Sequence, residues 1–236
     1  MTDYLEYLKI YEYKNKIRLG INSDGGYVIG ETDGMYDCYI SAGVSNEESF
    51  SRDFINKYNM NEMNSFAFDG TINKYPYEYT NKITFYKRNI SPYKDSKNAT
   101  LEYFMGKYHD IFLKMDIEGA EYPWLNILTL DQLNKFKQIV IEFHGINDDS
   151  LNTTLNNKIK CFEKLSKTHY PIHVHGNNAG FTINNTPNIV EITYLRKNLF
   201  QTIPSLNTTS FPIKNLDYPN IINREDLIIN YYPFVN

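Results

Sequence analysis

Apolar residues fall alternately into short continuous runs and helix-spaced sets along most of the chain. Continuous runs are typical of strands that are covered on both faces, and they predict strands at 37–43, 64–69, 82–91, 110–116 and 138–143. Apolar residues at helical spacing predict helices between these strands, at 46–59, 98–108, 122–136 and 152–169. Strands and helices that alternate in this way form an open, mainly parallel sheet with helices on both faces.

The two ends of the chain follow other patterns. Residues 3–13 predict a short helix, and two extended pieces flank the turn Asp24-Gly25-Gly26. Segments 170–176 and 189–197 predict strands whose connection is too short for a parallel crossover, so we expect them to be antiparallel. One domain follows, with a helix and hairpin cap at 1–36, a core at 37–197 and an irregular tail at 198–236.

Composition and charge narrow the class of protein. The 236 residues are 42% hydrophobic and 15% aromatic, which excludes disorder as the default state. The net charge is −4 and no run of Lys or Arg stands out, so we expect no nucleic-acid partner. No apolar run is long enough for a membrane span, and the first residues do not resemble a signal peptide. With Cys38 and Cys161 read as buried free thiols, we expect a cytoplasmic protein, bacterial or, if viral, in the host cytoplasm.

The first strand ends in a loop suited to a ligand. Sheets of this kind bind ligands beyond the carboxyl ends of their strands, and Ala42-Gly43 allows a sharp turn there. Gly43 is the single glycine of the loop, and Glu47 and Glu48 repel phosphate, so NAD and FAD are disfavoured. A ligand with an amino-acid moiety fits better, although an ordinary strand-to-helix turn would look the same.

Two further positions fit a nucleoside. Asp69 ends the second strand, and an acid at about this distance from the first loop accepts hydrogen bonds from ribose hydroxyls in nucleotide-binding folds. An Asp in a turn before Gly70 is the structural alternative. Ser91 closes the third strand, where a contact to the adenine edge would fall.

Acids and imidazoles follow the next strands. Asp116, Glu118 and Glu121 come directly after the fourth strand, and a single one of them would suffice to cap the next helix. The next strand ends in Glu142 and His144, and the one after it contributes a third group: His173, His175, Asn177 and Asn178. Because neighbouring strands lie about 5 Å apart, we expect these groups to converge on one cleft. They could bind a divalent cation or supply a general base.

The segments "CYISAGVSNEESF", "FAFDGT", "RNIS", "KMDIEGAEYPWL" and "IEFHG" together resemble the FkbM-like S-adenosylmethionine-dependent methyltransferases. The signature Asp-x-Glu-Gly-x-Glu, here Asp116 to Glu121, is the most specific mark of that family. The early "NSDGGYVIG" is similar to an element that some related proteins carry before the core. The likeness spans Ile21 to about Arg196. The sequence departs from the family pattern in the first loop, where the usual acid-x-Gly-x-Gly is reduced to Ser41-Ala42-Gly43-Val44-Ser45.

The resemblance implies a Rossmann-like class I methyltransferase fold, with a mainly parallel seven-stranded sheet, a terminal antiparallel hairpin and helices on both faces. It implies S-adenosylmethionine as the cofactor. The residues placed at the cofactor by the resemblance are Ser41, Ala42, Gly43 and Ser45 at the methionine part, Asp69 and Gly70 at the ribose, Ser91 at the adenine and Asp116 near the donor. Some sugar O-methyltransferases of this architecture hold Mg²⁺ with acids at the ends of the fourth and fifth strands, which are Asp116 and Glu142 here.

The expected function is methylation of a hydroxyl on a sugar, nucleotide sugar or glycan. Asp116 and Glu142 would orient this acceptor, with or without Mg²⁺, while His144 or His175 removes its proton. The alternatives are an RNA cap or other small-molecule methyltransferase, a non-catalytic module that binds the cofactor or a sugar, and a nicotinamide enzyme. The acceptor and the oligomeric state stay open, a homo-oligomer included.

Overall fold

The computed structural model describes residues 4–76, 81–183 and 186–236. The strands, numbered along the chain, are β1 (Lys16–Leu19), β2 (Tyr27–Gly30), β3 (Cys38–Ala42), β4 (Ser65–Phe68), β5 (Thr84–Tyr86), β6 (Asn89–Ile90), β7 (Asn98–Ala99), β8 (Ile111–Met115), β9 (Phe136–His144), β10 (His169–Gly176), β11 (Thr182–Ile183), β12 (Thr186–Pro187) and β13 (Ile189–Arg196). The helices are α1 (Ser49–Lys57), α2 (Glu102–Lys107), α3 (Glu121–Ile127), α4 (Leu130–Leu133) and α5 (Leu155–Thr168). Short 3-10 helices cover Tyr4–Leu8 and Lys197–Leu199.

A seven-stranded sheet with the order β10-β13-β9-β8-β3-β4-β5 forms the centre of the molecule. The pairs from β9 through β5 are parallel, whereas β13 runs antiparallel to both β9 and β10. The sheet is therefore mixed rather than purely parallel, and the antiparallel pairing of β10 with β13 is as predicted. The carboxyl ends of β4, β3, β8 and β9 follow one another along one edge.

Side chains of the central strands are buried on both faces of the sheet. All five residues of β8 and all nine of β9 are buried. Phe112 of β8 packs with Tyr39 and Phe54 on the face that α1 covers. Its neighbour Leu113 points to the opposite face, because strand side chains alternate, and lies there in the larger core cluster with α2, α3 and α5. This double covering explains the continuous apolar runs of the sequence.

The predicted helices 46–59 and 122–136 need correction. Helix α1 begins at Ser49, so Glu47 and Glu48 precede it instead of forming its first turn. Glu48 is buried and accepts hydrogen bonds from the hydroxyl groups of Ser51 and Tyr75. The predicted helix 122–136 is two helices, because Thr129 begins α4 with a capping box in which its side chain and that of Gln132 bond each other's backbone N–H.

The predicted strand 82–91 is also divided. β5 ends at Tyr86, and β6 pairs with β7 outside the central sheet. The predicted helix 98–108 consequently loses its first residues to β7 and begins at Glu102. Leu101, with a φ of 66°, precedes it in the left-handed conformation.

The two ends of the chain pack on the sheet. β1 and β2 form the predicted hairpin around Asp24-Gly25-Gly26, and β2 lies against β9, β13 and β10. The described residues of the tail after Leu199 form isolated bridges and irregular structure, as expected. Cys38 and Cys161 are buried free thiols, again as expected. Across the described ranges, no helix has the length and apolar character that crossing a membrane requires.

Candidate active site

A cavity of about 730 Å³ opens at the carboxyl ends of β4, β3 and β8. Its volume falls in the range of small-molecule sites. Five parts of the chain line it: the tip of the β1–β2 hairpin, the loop after β3, the end of β4 with the loop after it, segment 89–98, and the end of β8 with the loop after it. Five of the residues that the sequence predicts for the site lie in its wall, namely Gly43, Ser45, Asp69, Ser91 and Asp116.

Gly43 brings the loop after β3 against the loop after β8. Its φ is +81°, and a Cβ atom on it would lie 1.6 Å from the carbonyl oxygen of Asp116. Only glycine fits such a position. The Gly43 N–H donates to the carbonyl of Phe68 (3.0 Å), and the Lys114 ammonium donates to the carbonyl of Gly43 (2.7 Å). The floor of the cavity is thereby fixed from β4, β3 and β8 together.

Asp69 joins two loops through its carboxylate. Oδ2 accepts from the N–H groups of Val44 (3.0 Å) and Ser45 (2.9 Å), and Oδ1 accepts from the N–H (2.7 Å) and hydroxyl (2.5 Å) of Thr71. Burial raises the pKa of Asp69, but the hydrogen bonds from Ser45 and Thr71 outweigh it and hold the pKa below its usual value. Four donors match the accepting capacity of a carboxylate. A ribose hydroxyl placed here, as the sequence predicts, would have to displace one of them, and the rotatable Thr71 hydroxyl would be the most easily displaced.

Three other residues of the predicted cofactor set lie outside the cavity wall. Ser41 and Ala42 are buried beneath the loop, where the Ser41 hydroxyl donates to Glu48 (3.0 Å). The Gly70 N–H donates to the side-chain oxygen of Asn89 (3.0 Å). These residues hold the wall in place, and Asn89 itself belongs to it.

Asp116 lines the cavity directly after β8. Among the described residues, no hydrogen-bond donor reaches its carboxylate, which is unusual for a half-buried charge. Burial raises the pKa of Asp116 to about 6, against the opposing charges of Lys114 and His144. A carboxylate with this pKa, and without a hydrogen-bond donor among the described residues, is available to a ligand.

Glu142 and His144 lie beside Asp116, as the sequence predicts. One possible ligand atom from each of the three residues lies within 4.8 Å of the other two. The Asn177 amide donates to Glu142 (2.8 Å), and the Tyr27 hydroxyl lies 3.5 Å from it. Burial, together with the charge of Asp116, raises the pKa of Glu142 well above its usual value.

His144 lies between two glutamates of the loop after β8. Its Nδ1 is 3.2 Å from Glu121, and its Nε2 is 3.3 Å from Glu118. Burial lowers the pKa of His144, but the hydrogen bond and charge of Glu121 and the charges of Asp116 and Glu118 raise it above the usual value. Because both ring nitrogens lie beside carboxylates, His144 is less well placed than Asp116 to accept a proton from a ligand in the cavity.

The histidines of β10 do not reach this cluster, which corrects the expectation that three histidines converge. β13 lies between β9 and β10 and inserts Glu191, so His175 bonds Glu191 (3.3 Å) and Asp226 (3.0 Å) instead. These carboxylates outweigh burial and raise the pKa of His175 to about 10. His173 pairs with Asp217 of the tail (2.8 Å). His175 is consequently unsuited to accept a proton from an acceptor in the cavity.

Sequence reasoning missed several residues of the site, among them three with polar side chains. Asp24 and Tyr27 line the cavity from the hairpin, whose turn was recognised only as a turn. Lys114 also lines it, and its ammonium lies 5.4 Å from the centre of the Tyr27 ring. A lysine inside the otherwise apolar run "IFLKM" was the available signal, because a buried ammonium needs a partner.

Comparison with known proteins identifies the class. The family model of the methyltransferase FkbM domain matches residues 6–201, so the protein is a methyltransferase. The chain belongs to the FkbM methyltransferase domain family, as the sequence resemblance indicates. No curated protein and no solved structure matches the chain. The family match contains the hairpin and all the predicted site residues, and it ends before most of the tail.

Proposed function

We propose that the protein is an S-adenosylmethionine-dependent O-methyltransferase that acts on a sugar hydroxyl. The observation that carries this proposal is the carboxylate of Asp116, which faces the cavity beside the Gly43 loop without a donor from the described protein. The strand order, with β13 antiparallel between β9 and β10, supports a Rossmann-like class I methyltransferase fold. The buried free thiols Cys38 and Cys161 support a cytoplasmic protein, and the packing of tail and hairpin on the sheet supports one domain.

The charges of the cavity support a cationic donor. Lys114 is the one basic residue in the described wall, and five acidic residues lie there: Asp24, Glu47, Asp69, Asp116 and Glu118. A wall of this sign attracts a sulfonium and repels the pyrophosphate of a nicotinamide or flavin dinucleotide. The Gly43 loop with Ser45 would hold the methionine part, and Asp69 the ribose. Ser91 and its buried neighbour Ile90 would face the adenine.

Alignment and removal of one proton are the two tasks of the protein in this reaction. Bound S-adenosylmethionine would supply a methyl group that is already electrophilic. Asp116 would accept the proton of the acceptor hydroxyl as the new C–O bond forms, because a carboxyl with a pKa of about 6 is ionised at neutral pH and still basic enough to act. The charge of His144 keeps Asp116 ionised, and Asn177 holds Glu142 beside it.

The cluster of Asp116, Glu142 and His144 fits Mg²⁺ poorly. Mg²⁺ prefers oxygen ligands, whereas the third group of this set is an imidazole, and both of its nitrogens already lie within 3.3 Å of Glu118 and Glu121. We therefore propose that transfer requires no Mg²⁺. Addition of EDTA to the purified protein should leave methyl transfer unchanged, and a loss that Mg²⁺ restores would assign the metal to Asp116 and Glu142.

Substitution of Asp116 tests the proposed function. With radiolabelled S-adenosylmethionine and a panel of sugars, Asp116→Asn should lower kcat at least about 100-fold, since a positioned base contributes this much. Its affinity for S-adenosylhomocysteine should stay near that of the wild type. The matched control is Asp131→Asn on the exposed face of α4. Full activity of Asp116→Asn would remove Asp116 from the chemistry.

A further inference from the structure

The tip of the β1–β2 hairpin closes the cavity at the end away from Asp69. Along the sheet edge the order is Asp69 after β4, Gly43 after β3, Asp116 after β8 and Glu142 at the end of β9. Asp24 lies at the Glu142 end, because one amide, that of Asn220, donates to both Asp24 and Glu191, and Glu191 pairs with Glu142 across β13 and β9. The hairpin tip therefore stands beyond Asp116, where an acceptor would enter opposite the nucleoside side.

The C-terminal tail holds Asp24 in this position. The Asp24 N–H donates to the carbonyl of Asn220 (3.3 Å), and the Asn220 amide donates to the Asp24 carboxylate (3.3 Å). The same amide donates to Glu191 (2.7 Å), which bonds His175. The buried polar residues His175 of β10 and Glu191 of β13 therefore help to position Asn220. Asn220 lies outside the residues matched by the family model, whereas Asp24 lies inside them.

The wall around Asp24 is negatively charged. Asp116 and Glu118 complete it, and Lys114, the one basic residue of the described lining, donates to the carbonyl of Gly43 and lies beside the Tyr27 ring. Among the described residues, Asn220 is the single side chain that donates a hydrogen bond to the Asp24 carboxylate. The remaining acceptor sites of this carboxylate can receive hydrogen bonds from hydroxyl or ammonium groups.

We propose that Asp24 is an acceptor-binding residue and that the acceptor is a sugar whose bound ring carries no phosphate or carboxylate, being either neutral or an amino sugar. This inference rests on the proposed function, because it concerns the acceptor of that reaction. An anionic group would meet three carboxylates, those of Asp24, Asp116 and Glu118, and one ammonium, that of Lys114, which already donates to the Gly43 carbonyl. An ammonium or hydroxyl group would instead donate to the carboxylates.

Three sugars of similar size probe the charge preference. Glucosamine, glucose and glucose 6-phosphate are titrated into the full-length protein saturated with S-adenosylhomocysteine, at low salt, and binding is followed by calorimetry or saturation-transfer NMR. Glucosamine should bind at least about tenfold more tightly than glucose 6-phosphate, with glucose between them. Asp24→Asn should reduce this ratio at least about threefold by removing one charge from the wall. The matched control Asp33→Asn, in the exposed segment after β2, should keep the ratio.

The outcomes separate this inference from the proposed function. The acceptor class would be overturned if glucose 6-phosphate bound as tightly as glucosamine. It would also be overturned if neither glucosamine nor glucose bound. An unchanged ratio in Asp24→Asn, or a loss of affinity for S-adenosylmethionine alone, would overturn the role of Asp24. The proposed function fails on a different readout, namely the absence of methyl transfer to every sugar from a protein that binds the donor.

Discussion

Gly43 is the residue on which the shape of the cavity depends most directly. We expect Gly43→Ala to displace the loop after β3, because the new Cβ would overlap the carbonyl oxygen of Asp116 and because φ is +81°. The affinity for S-adenosylmethionine should fall at least about tenfold, and the free energy of unfolding should fall by about 2 kcal/mol or more. Calorimetric titration and chemical denaturation measure the two effects.

The matched control for this substitution is Gly106→Ala in α2. A Cβ on Gly106 would meet no atom within 4 Å, and alanine favours a helix over glycine by about 0.5–1 kcal/mol. This variant should be as stable as the wild type or more so, with unchanged donor affinity. Equal donor affinity in both variants would show that the Gly43 loop does not contact the donor.

The raised pKa of Asp116 predicts a pH dependence of transfer. Asp116 must be ionised to accept a proton, so kcat should be low below pH 6 and should rise as the pH increases through about 6. His144 lowers the pKa of Asp116, so His144→Asn should move the midpoint of the profile to higher pH. Profiles of both proteins between pH 5 and 8 test this. An unmoved midpoint in His144→Asn would separate His144 from the base.

At the residue scale, the sequence predicts what local chain geometry decides. Gly43, Asp69 and Asp116 each follow directly after a strand of the parallel part of the sheet, and the structure places all three in one cavity. His175 could not be placed from sequence, because the insertion of β13 beside β9 depends on how strands distant in the chain pair. Asp24 was missed for the same reason, since its position depends on Asn220 of the tail.

At the scale of elements, hydrogen bonds between the loop after β10 and the tail fix the position of Asn220, which in turn bonds Asp24. The buried side chain of Asn178 donates to the carbonyls of Ile221, Arg224 and Glu225, and its oxygen accepts from the Ile221 N–H (2.8 Å). The three bonds that the Asn178 amide donates are 3.2–3.3 Å long, so each contributes modestly to stability. Together they fix a segment of the tail that has no secondary structure. The position of Asn220, next in the chain to Ile221, therefore depends on Asn178.

We expect Asn178→Ala to destabilise the protein by about 1–2 kcal/mol, because it removes the hydrogen bonds that join the buried Asn178 side chain to segment 221–225. The sugar preference assigned to Asp24 should weaken, while the affinity for S-adenosylmethionine stays unchanged. Chemical denaturation and the sugar titrations measure both effects, with Asn156→Ala on the exposed face of α5 as the control. If the affinity for S-adenosylmethionine fell as well, the claim that Asp24 contacts the acceptor and not the methyl donor would be contradicted.

The elements themselves were predictable to different degrees. Continuous apolar runs identified β3, β4, β8 and β9, because strands covered on both faces leave a clear pattern. The division of 122–136 was missed, since the capping box of Thr129 and Gln132 lies within an otherwise continuous helical pattern. β6 and β7 are two residues each, which is too short for any periodicity to show.

At the scale of the whole molecule, a buried neutral histidine links stability to pH. His169 is fully buried, and burial lowers its pKa to about 4, against a hydrogen bond to the carbonyl of Phe136 that raises it. Below pH 6.5 the unfolded chain binds a proton at this residue that the folded protein does not bind, so stability falls as the pH decreases from about 6.5 to 4. The contribution amounts to about 3 kcal/mol over this range.

We expect His169→Gln to lose less stability than the wild type between pH 7 and 4.5, because glutamine does not titrate. Urea denaturation at the two pH values measures the difference. His109→Gln, at an exposed position, is the control and should follow the wild type. Equal acid sensitivity of wild type and His169→Gln would mean that other groups account for the loss.

The most direct test of the central claim, that the cavity binds a sulfonium donor, is a calorimetric titration of the purified protein with S-adenosylmethionine, repeated in the presence of excess NAD. The acidic wall and the single glycine of the β3 loop predict one binding site per chain, with an affinity that NAD does not change. Absence of binding by S-adenosylmethionine, or its displacement by NAD, would contradict the account.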